Sequence, residues 1–581
     1  MAEIKTFDQT LMTDRETGVV DDTLQAFTAA QQHRFVFGSH WEEVSELIDP
    51  SSRNTFQFGN YNWPGQKKTD RQVDATGMMA LSRFTTICND LITPSNSFWH
   101  GLEADDDYIM KDRATRLWYE RAAKTLFRLR YMPEANFVQQ NFSGYRSLGA
   151  YGNFGLFTDE LDPAISGKRG FRYKAIPVGE LFFTVNHQGA VDGFIRWMRM
   201  TARQIYQKWP DRFPANLKGP LERNSEQLYD ILHRVCLRND YDPERLDVQG
   251  KRFMSAYVAM QSKVLLQEGG YRSFPMDVRR GMCAPGEHYG RSPAMDVLPA
   301  LKTLNAEKRT FLKQGHRAGD PVLLTADDGL LTPDLTPGAV NAGGMSPDGK
   351  PLIGVLPTGN IQVTKEMMDE ERSLINDAFL VSLFQILTET PTMSATEVIE
   401  RTNEKSILLS GLDALVPADM ISREMDMALY NQWLPPMPPR MREAARSGAL
   451  THRMVLTSPL SKSKQAKEAA GFFRTLEGLK EIVAVTQDQS ILDAFDFNTA
   501  SKGIAEIQSV RESWMASDEQ IDAKVKARAD AAKRQEMIQA APAAAAMMKA
   551  RQATGQGQGG GGSMAAPAQA PAGGAVDSRI I

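Results

Sequence analysis

The sequence predicts an α+β chain built from several modules, and three observations carry that expectation. Short aromatic and β-branched segments, separated by turn residues, crowd the stretch between Phe154 and Met276. Two long charged helical stretches follow, Pro293 to Gly315 and Val363 to Leu387, with a Gly/Pro/Asp-rich insertion between them. Beyond Ser461 the chain turns Lys-, Glu-, Gln- and Ala-rich, and from Ala541 onward it is low-complexity and expected to be disordered. A chain of 581 residues has room for several domains at about 100 to 200 residues each, and 42% hydrophobic content permits true cores.

Taken in order, residues 1–80 are mixed, with a helix expected over 22–46 and an Asn/Gly/Pro-rich stretch over 51–65. Helices are expected over 80–92, 112–131 and 134–148, the last giving way to Gly149, Gly152 and Gly155. Strands are expected over 154–159, 171–177, 180–186, 193–200, 257–267 and 271–276, with short helices over 202–209 and 225–232. A mixed sheet ringed by helices is the economical description.

At the first long helix the start and stop signals agree. Ser292 is placed as N-cap, Pro293 suits the first helical position, and Gly315 is placed to end the helix. Pro299 should bend it in the second turn, because it removes a backbone donor. Such a helix runs roughly 30 to 35 Å, and Met295, Leu298, Leu301, Leu304, Phe311 and Leu312 form an incomplete apolar stripe that needs a neighbour. The insertion, with apolar runs at 322–324 and 352–356, reads as a small strand-and-turn module. The second helix carries Met367, Leu374, Ile375, Phe379, Leu383 and Leu387; a polar linker, Thr388 to Met393, then leads to a capping box of Ser394 and Glu397. Helix, module and helix describe a hairpin with a knob at its tip.

The two helices differ in charge. Lys302, Lys308, Arg309, Lys313 and Arg317 make the first net basic against Asp296 and Glu307, whereas Glu366, Asp369, Glu370 and Glu371 make the second acidic. An ordinary solvated helix face accounts for the basic side chains as well as contact with acids of a neighbouring copy does, or with DNA phosphates as the family resemblance given below implies. A basic helix laid against the acidic helix of a second copy would set register more than affinity.

Several chemistries find no support. A net charge of −4 and a pI near 6.2 argue against a high-affinity nucleic-acid binder. No Gly-x-x-x-x-Gly-Lys-Ser/Thr run exists to cradle a nucleotide. The eight histidines are scattered without HxxxH or HExxH spacing, and Asp105, Asp106 and Asp107 read as a solvated loop. Cys88, Cys236 and Cys283 are too few and too far apart for a disulfide framework. No catalytic residue, metal or cofactor is expected, and neither a signal peptide nor a membrane span is evident.

Five blocks in collinear order carry a resemblance. ALSRFTTICNDLITPSNSFWHGLE, SLGAYGNFGLFTDE, YGRSPAMDVLPALKTLN, the run ending FLVSLFQIL, and SATEVIERTNEK, between Ala80 and Leu415, resemble the portal proteins, or head-to-tail connectors, of short-tailed bacteriophages. The resemblance implies a portal fold assembled as a dodecameric ring at one capsid vertex, a channel for packaging and ejecting double-stranded DNA. Residues 1–285 and 394–450 would form the wing, 286–317 and 363–387 the stem, 318–362 the clip, 388–393 the tunnel loop and 451–540 a helical crown, with a low-complexity tail over 541–581. The tunnel loop would comprise Thr388, Glu389, Thr390, Pro391, Thr392 and Met393. Implied partners are further copies of the chain, the terminase large subunit, a tail adaptor or tube protein, and the major capsid and scaffolding proteins, with no membrane. Assembly would take place in the host cytoplasm. A scaffolding or other capsid-assembly protein is the alternative, but it would be mostly helical and lack the β-rich region.

Overall fold

The computed structural model describes residues 5–56, 65–325, 334–342, 344–357, 361–381, 415, 417–448, 450–456, 475–476, 478–479, 497–507, 510, 514–516 and 519–535. They fall in two compact units, Met1–Glu512 and Ser513–Ile581. In the second, the described backbone includes a helix over 519–535 whose side chains are almost all exposed. The expected tunnel loop at Thr388 to Met393, the Ser394 capping box, most of the expected crown and the tail lie outside the described residues.

The first unit opens with α1 (Asp14–Leu47), which starts earlier than expected because Thr13 and Glu16 form a reciprocal capping box. Next come α2 (Thr76–Ile92), β1 (His100–Ala104), α3 (Arg113–Arg130), α4 (Phe137–Tyr151) and β2 (Asn153–Glu160). The β-rich part continues through β3 (Phe171–Ile176), β4 (Leu181–Val185), β5 (Val191–Thr201), α5 (Ala202–Lys208), β6 (Leu228–Leu237), β7 (Phe253–Ala259), β8 (Val264–Tyr271) and β9 (Met276–Arg280). After it stand α6 (Leu298–Gly319), β10 (Leu323–Thr325), β11 (Ile353–Val355), α7 (Ile361–Ala378), α8 (Ala418–Tyr430), α9 (Pro439–Arg446), β12 (His452–Leu456) and α10 (Phe497–Ile507). The architecture is mixed α+β, as the sequence predicts.

Two antiparallel sheets organise it: a five-stranded meander in the order β4-β5-β6-β7-β8 and a three-stranded sheet in the order β3-β2-β9. The first corrects the reading of residues 225–232 as a helix. Leu228, Ile231 and Leu232 mimic helical spacing, but the segment is the middle strand, apolar on both faces: Ile231 packs towards α5 and Leu232 towards α1. Residues 257–267 form a hairpin instead of one strand, turning at Lys263, which takes the left-handed φ of 48°. Residues 271–276 link β8 to β9. Residues 452–456 depart from the expected helical crown, since β12 pairs with β1 from His100↔Leu456 to Ala104↔His452.

The helix expected to reach Leu387 stops at Ala378. Leu380 adopts φ 58°, a left-handed conformation that disfavours side chains with a Cβ, while fully buried Phe379 and Val381 on either side anchor the turn in the core. Exposed ends of α6 and α7 contrast with this inner end, where Leu298, Leu301, Leu304, Met368 and Ile375 join the main apolar cluster.

Within that cluster sits a wholly buried ionic group. Arg130 of α3 donates from Nε to Glu424 Oε1 at 3.0 Å and from Nη2 to Oε2 at 2.5 Å, and Tyr173 donates to Oε1 at 2.6 Å. Arg130 Nη1 also donates to His100 Nε2 at 2.8 Å, which leaves the ring proton on Nδ1. Burial opposes the Arg130 charge, yet the Glu424 carboxylate outweighs it and raises the guanidinium's affinity for its proton. His100 is held neutral, first by burial and then by Arg130.

Two outcomes follow. Glu424→Leu strands a buried guanidinium and should destabilise the first unit by about 3–5 kcal/mol; adding Arg130→Leu should recover much of that loss in urea titrations. His100 and His233 are both fully buried with folded pKa values depressed well below the ordinary one. The unfolded chain therefore takes up protons near pH 6.5 that the folded chain refuses, so their stability contribution is whole above that pH and lost as pH falls below it. The slope is at most about 1.4 kcal/mol per pH unit for each histidine, measurable as Tm against pH with His100→Asn for comparison.

Candidate functional site

The hairpin is rooted where two glycine-rich stretches meet. Gly152 ends α4 with φ 72°, and a Cβ there would lie 2.3 Å from the Gly290 carbonyl oxygen. Asn153 completes the joint: its Oδ1 accepts the Gly290 N–H at 2.9 Å, and its Nδ2 donates to the Gly290 carbonyl at 3.2 Å. Ser292 caps the next helix as its position predicts, accepting the Met295 N–H at 3.1 Å and donating to the Ala150 carbonyl at 2.9 Å. A single turn, Pro293–Asp296, precedes α6, and the chain breaks at Val297, two residues before Pro299. That is the bend the proline requires. Gly315 does not end the helix, which runs on to Gly319, because a glycine inside an exposed helix costs only about 1 kcal/mol.

The inner half of α6 is tied to its own chain. Lys302 pairs with Glu43 of α1 at 2.7 Å, Arg309 donates to the Arg71 carbonyl at 2.9 Å, and Asn305 accepts the Val73 N–H at 2.8 Å. Arg71 in turn pairs with Glu46, and a groove of mixed charge runs between α1 and α6 along these residues. Of the basic residues singled out, Lys302 and Arg309 therefore serve this seam. Lys308 lies along the Phe311 ring at 5.5 Å. Lys313 and Arg317 are exposed and form no ion pair among the described residues.

The acidic helix divides likewise. Arg372 of α7 bridges Asp369 and Asp74, both at 2.9 Å, fixing α7 to the segment before α2. Glu370 is exposed, but its neighbour Glu371 turns inward: its Oε2 and the Oε2 of Glu307 on α6 are both buried without a hydrogen-bond partner. Burial, and then the Glu371 charge, raise the Glu307 pKa. Nearer the tip, Thr364 donates to Gln314 at 3.2 Å across the two helices.

At the tip, β10 and β11 form an antiparallel pair from Leu323↔Val355 to Thr325↔Ile353, as the apolar runs predict. Val322, Leu324, Leu335, Val340, Met345 and Val355 are all about half exposed or more. Three-residue strands bury too little to stand alone comfortably, and this apolar surface is larger than a solvated loop needs. The sequence signalled the module but not the exposure, which depends on what it packs against. Among the described residues no group of three His, Cys, Asp or Glu side chains is placed to hold a metal ion, and no helix is long and apolar enough to cross a membrane.

Comparison with known proteins adds to this geometry. The sequence profile of the family described as "Bacteriophage head to tail connecting protein" matches residues 20–515, well beyond the blocks between Ala80 and Leu415. A "Probable portal protein" of Bordetella phage BPP-1 is 22% identical over 507 residues, which cover 85% of this chain and 88% of that protein. Among solved structures, "Virion of native gene transfer agent (GTA) particle" is matched at 12% identity and a TM-score of 0.33 over 69% of this chain and 85% of that one, a likeness too slight to bear on the fold. With a profile match spanning the β-rich body, the hairpin and the segments after it, the chain belongs to the family of bacteriophage head-to-tail connecting proteins, the phage portal proteins.

Proposed function

We propose that this chain is the portal of a short-tailed phage, a dodecameric ring at one capsid vertex through which double-stranded DNA is packaged and ejected. In this reading α6 and α7 are the stem and the β10–β11 module is the clip, docking site first for the terminase large subunit and later for the tail adaptor. The β-rich body is the wing, facing the major capsid and scaffolding proteins, and Thr388 to Met393 form the tunnel loop. One observation carries the reading: a long helical hairpin, packed at its root, presents Lys313 and Arg317, exposed and without an ion pair among the described residues, on one helix, exposed Glu366 and Glu370 on the other, and an exposed apolar tip. Copies set side by side would cover the tip and oppose unlike charges. The two antiparallel sheets speak against a scaffolding role, which needs little beyond helices.

Negative-stain microscopy of the purified chain should show rings with a central hole; a chain that stays monomeric under assembly conditions would sink the proposal. Glu366→Lys with Glu370→Lys should shift the population from rings towards monomers by light scattering. Adding Lys313→Glu and Arg317→Glu in the same chain should restore rings, because the opposed charges are exchanged instead of lost.

A further inference from the structure

Midway along the hairpin, two like charges occupy the seam where α6 and α7 pack. Thr364 donates to Gln314 nearer the tip, and seven residues further in along each helix stand Glu371 and Glu307. On α6 the run Leu304, Glu307, Phe311, Gln314 and on α7 the run Thr364, Met368, Glu371, Ile375 alternate steps of three and four, the core spacing of a coiled coil. Leu304, Met368 and Ile375 are buried in the main apolar cluster, and Phe311 packs against it. Of these eight seam positions only Glu307 and Glu371 are ionisable, and they stand at the same level.

Among the described residues no cation answers their charge. Each carboxylate buries its Oε2 without a hydrogen-bond partner, and no residue three or four positions away on either helix is basic. The cations of the surrounding elements end elsewhere: Lys308 along the Phe311 ring, Arg309 on the Arg71 carbonyl, Arg71 on Glu46, Lys302 on Glu43, and Arg372 on Asp369 and Asp74. Lys313, Lys365 and Glu370 are exposed. Burial, and then the Glu371 charge, make Glu307 hold its proton to a higher pH than a free carboxyl does. The folded chain therefore keeps a proton that the unfolded chain has already lost, so the stabilisation is whole below the ordinary carboxylate range and is lost as pH rises through the Glu307 pKa.

We propose that Glu307 and Glu371 form a proton-sensitive joint in the hairpin: with one proton shared between the two carboxyls the seam is closed along its length, and with both ionised it loosens at this level while the root stays packed. The consequence is mechanical. Loss of the proton frees the outer half of both helices, and with it the β10–β11 module, to move against a root held by Leu301, Leu304, Ile375 and Phe379. Leucine at both positions would give a seam indifferent to pH. The contacts lie within one chain, so this joint stands or falls separately from the ring.

Hydrogen exchange of the full chain, read by mass spectrometry as protection factors corrected for the intrinsic pH dependence of exchange, tests the joint. Between about pH 5 and about pH 8 the wild type should lose protection by at least about threefold over 305–315 and 364–373, with 298–304 unchanged. Global destabilisation through His100 and His233 has the opposite sign. Glu307→Gln with Glu371→Gln should keep the low-pH protection throughout, and Glu371→Lys, which sets an opposite charge against Glu307, should raise protection above wild type at the higher pH. Glu370→Gln, on the exposed neighbour, should leave the pH response as it is. Wild-type protection that stays flat or rises with pH, an undiminished response in the Gln pair, no gain in Glu371→Lys, or a response lost in Glu370→Gln would each overturn the assignment.

Discussion

A guanidinium with no exposed surface must be met by an anion, and Arg130 is met by Glu424, 294 residues further along the chain. The pair is costly to break and fixes which parts of the sequence share one core. The antiparallel pairing of β1 with β12 makes the same connection a second time. Between these clamps the chain builds both main sheets, then leaves the body and returns to it. The hairpin is that excursion: its root is packed among Leu298, Leu301, Ile375 and Phe379, and its far end holds the exposed β10–β11 pair. Rigidity at one end and exposure at the other are two consequences of one closure.

Local signals in the sequence were legible where the chemistry is local. Ser292 and Pro299 announce a cap and a bend, and the apolar runs of the insertion announce two short strands, because caps, ring constraints and turns act over a few residues. Long-range features were not. The middle strand β6 looks helical because both its faces are covered, which a stretch of sequence does not reveal without its neighbours. Arg130 reads as one more basic residue on a charged helix, and only Glu424, His100 and Tyr173 arriving from distant segments turn it into the keystone of the core. The hairpin charges show the same limit: Glu370 and Glu371 are adjacent and alike in sequence, yet one faces solvent and the other meets Glu307.

Charged residues of the hairpin fall into two groups, those bonded within this chain and those exposed without an ion pair among the described residues. Lys302, Arg309 and Arg372 end on groups of their own chain, so changing them would disturb the seam between the hairpin and the body. Lys313, Arg317, Glu366 and Glu370 form no ion pair among the described residues. Surface charges of this kind contribute little to the stability of an isolated subunit.

Their distribution also constrains how copies could meet. A two-fold contact through α6 would set Lys313 and Arg317 against their own duplicates, and one through α7 would do the same with Glu366 and Glu370; both place like charges in opposition. A head-to-tail contact brings α6 of one copy to α7 of the next and opposes unlike charges at every interface. Such heterologous contacts either close into a ring or continue as an open helix, depending on the rotation between copies. In the proposed ring, the root would decide between these outcomes, because a hairpin held by Gly152, Asn153 and Ser292 at its base would transmit one fixed angle from each copy to the next. The charges would then select the partner, and the glycine joint would set the curvature that allows the circle to close.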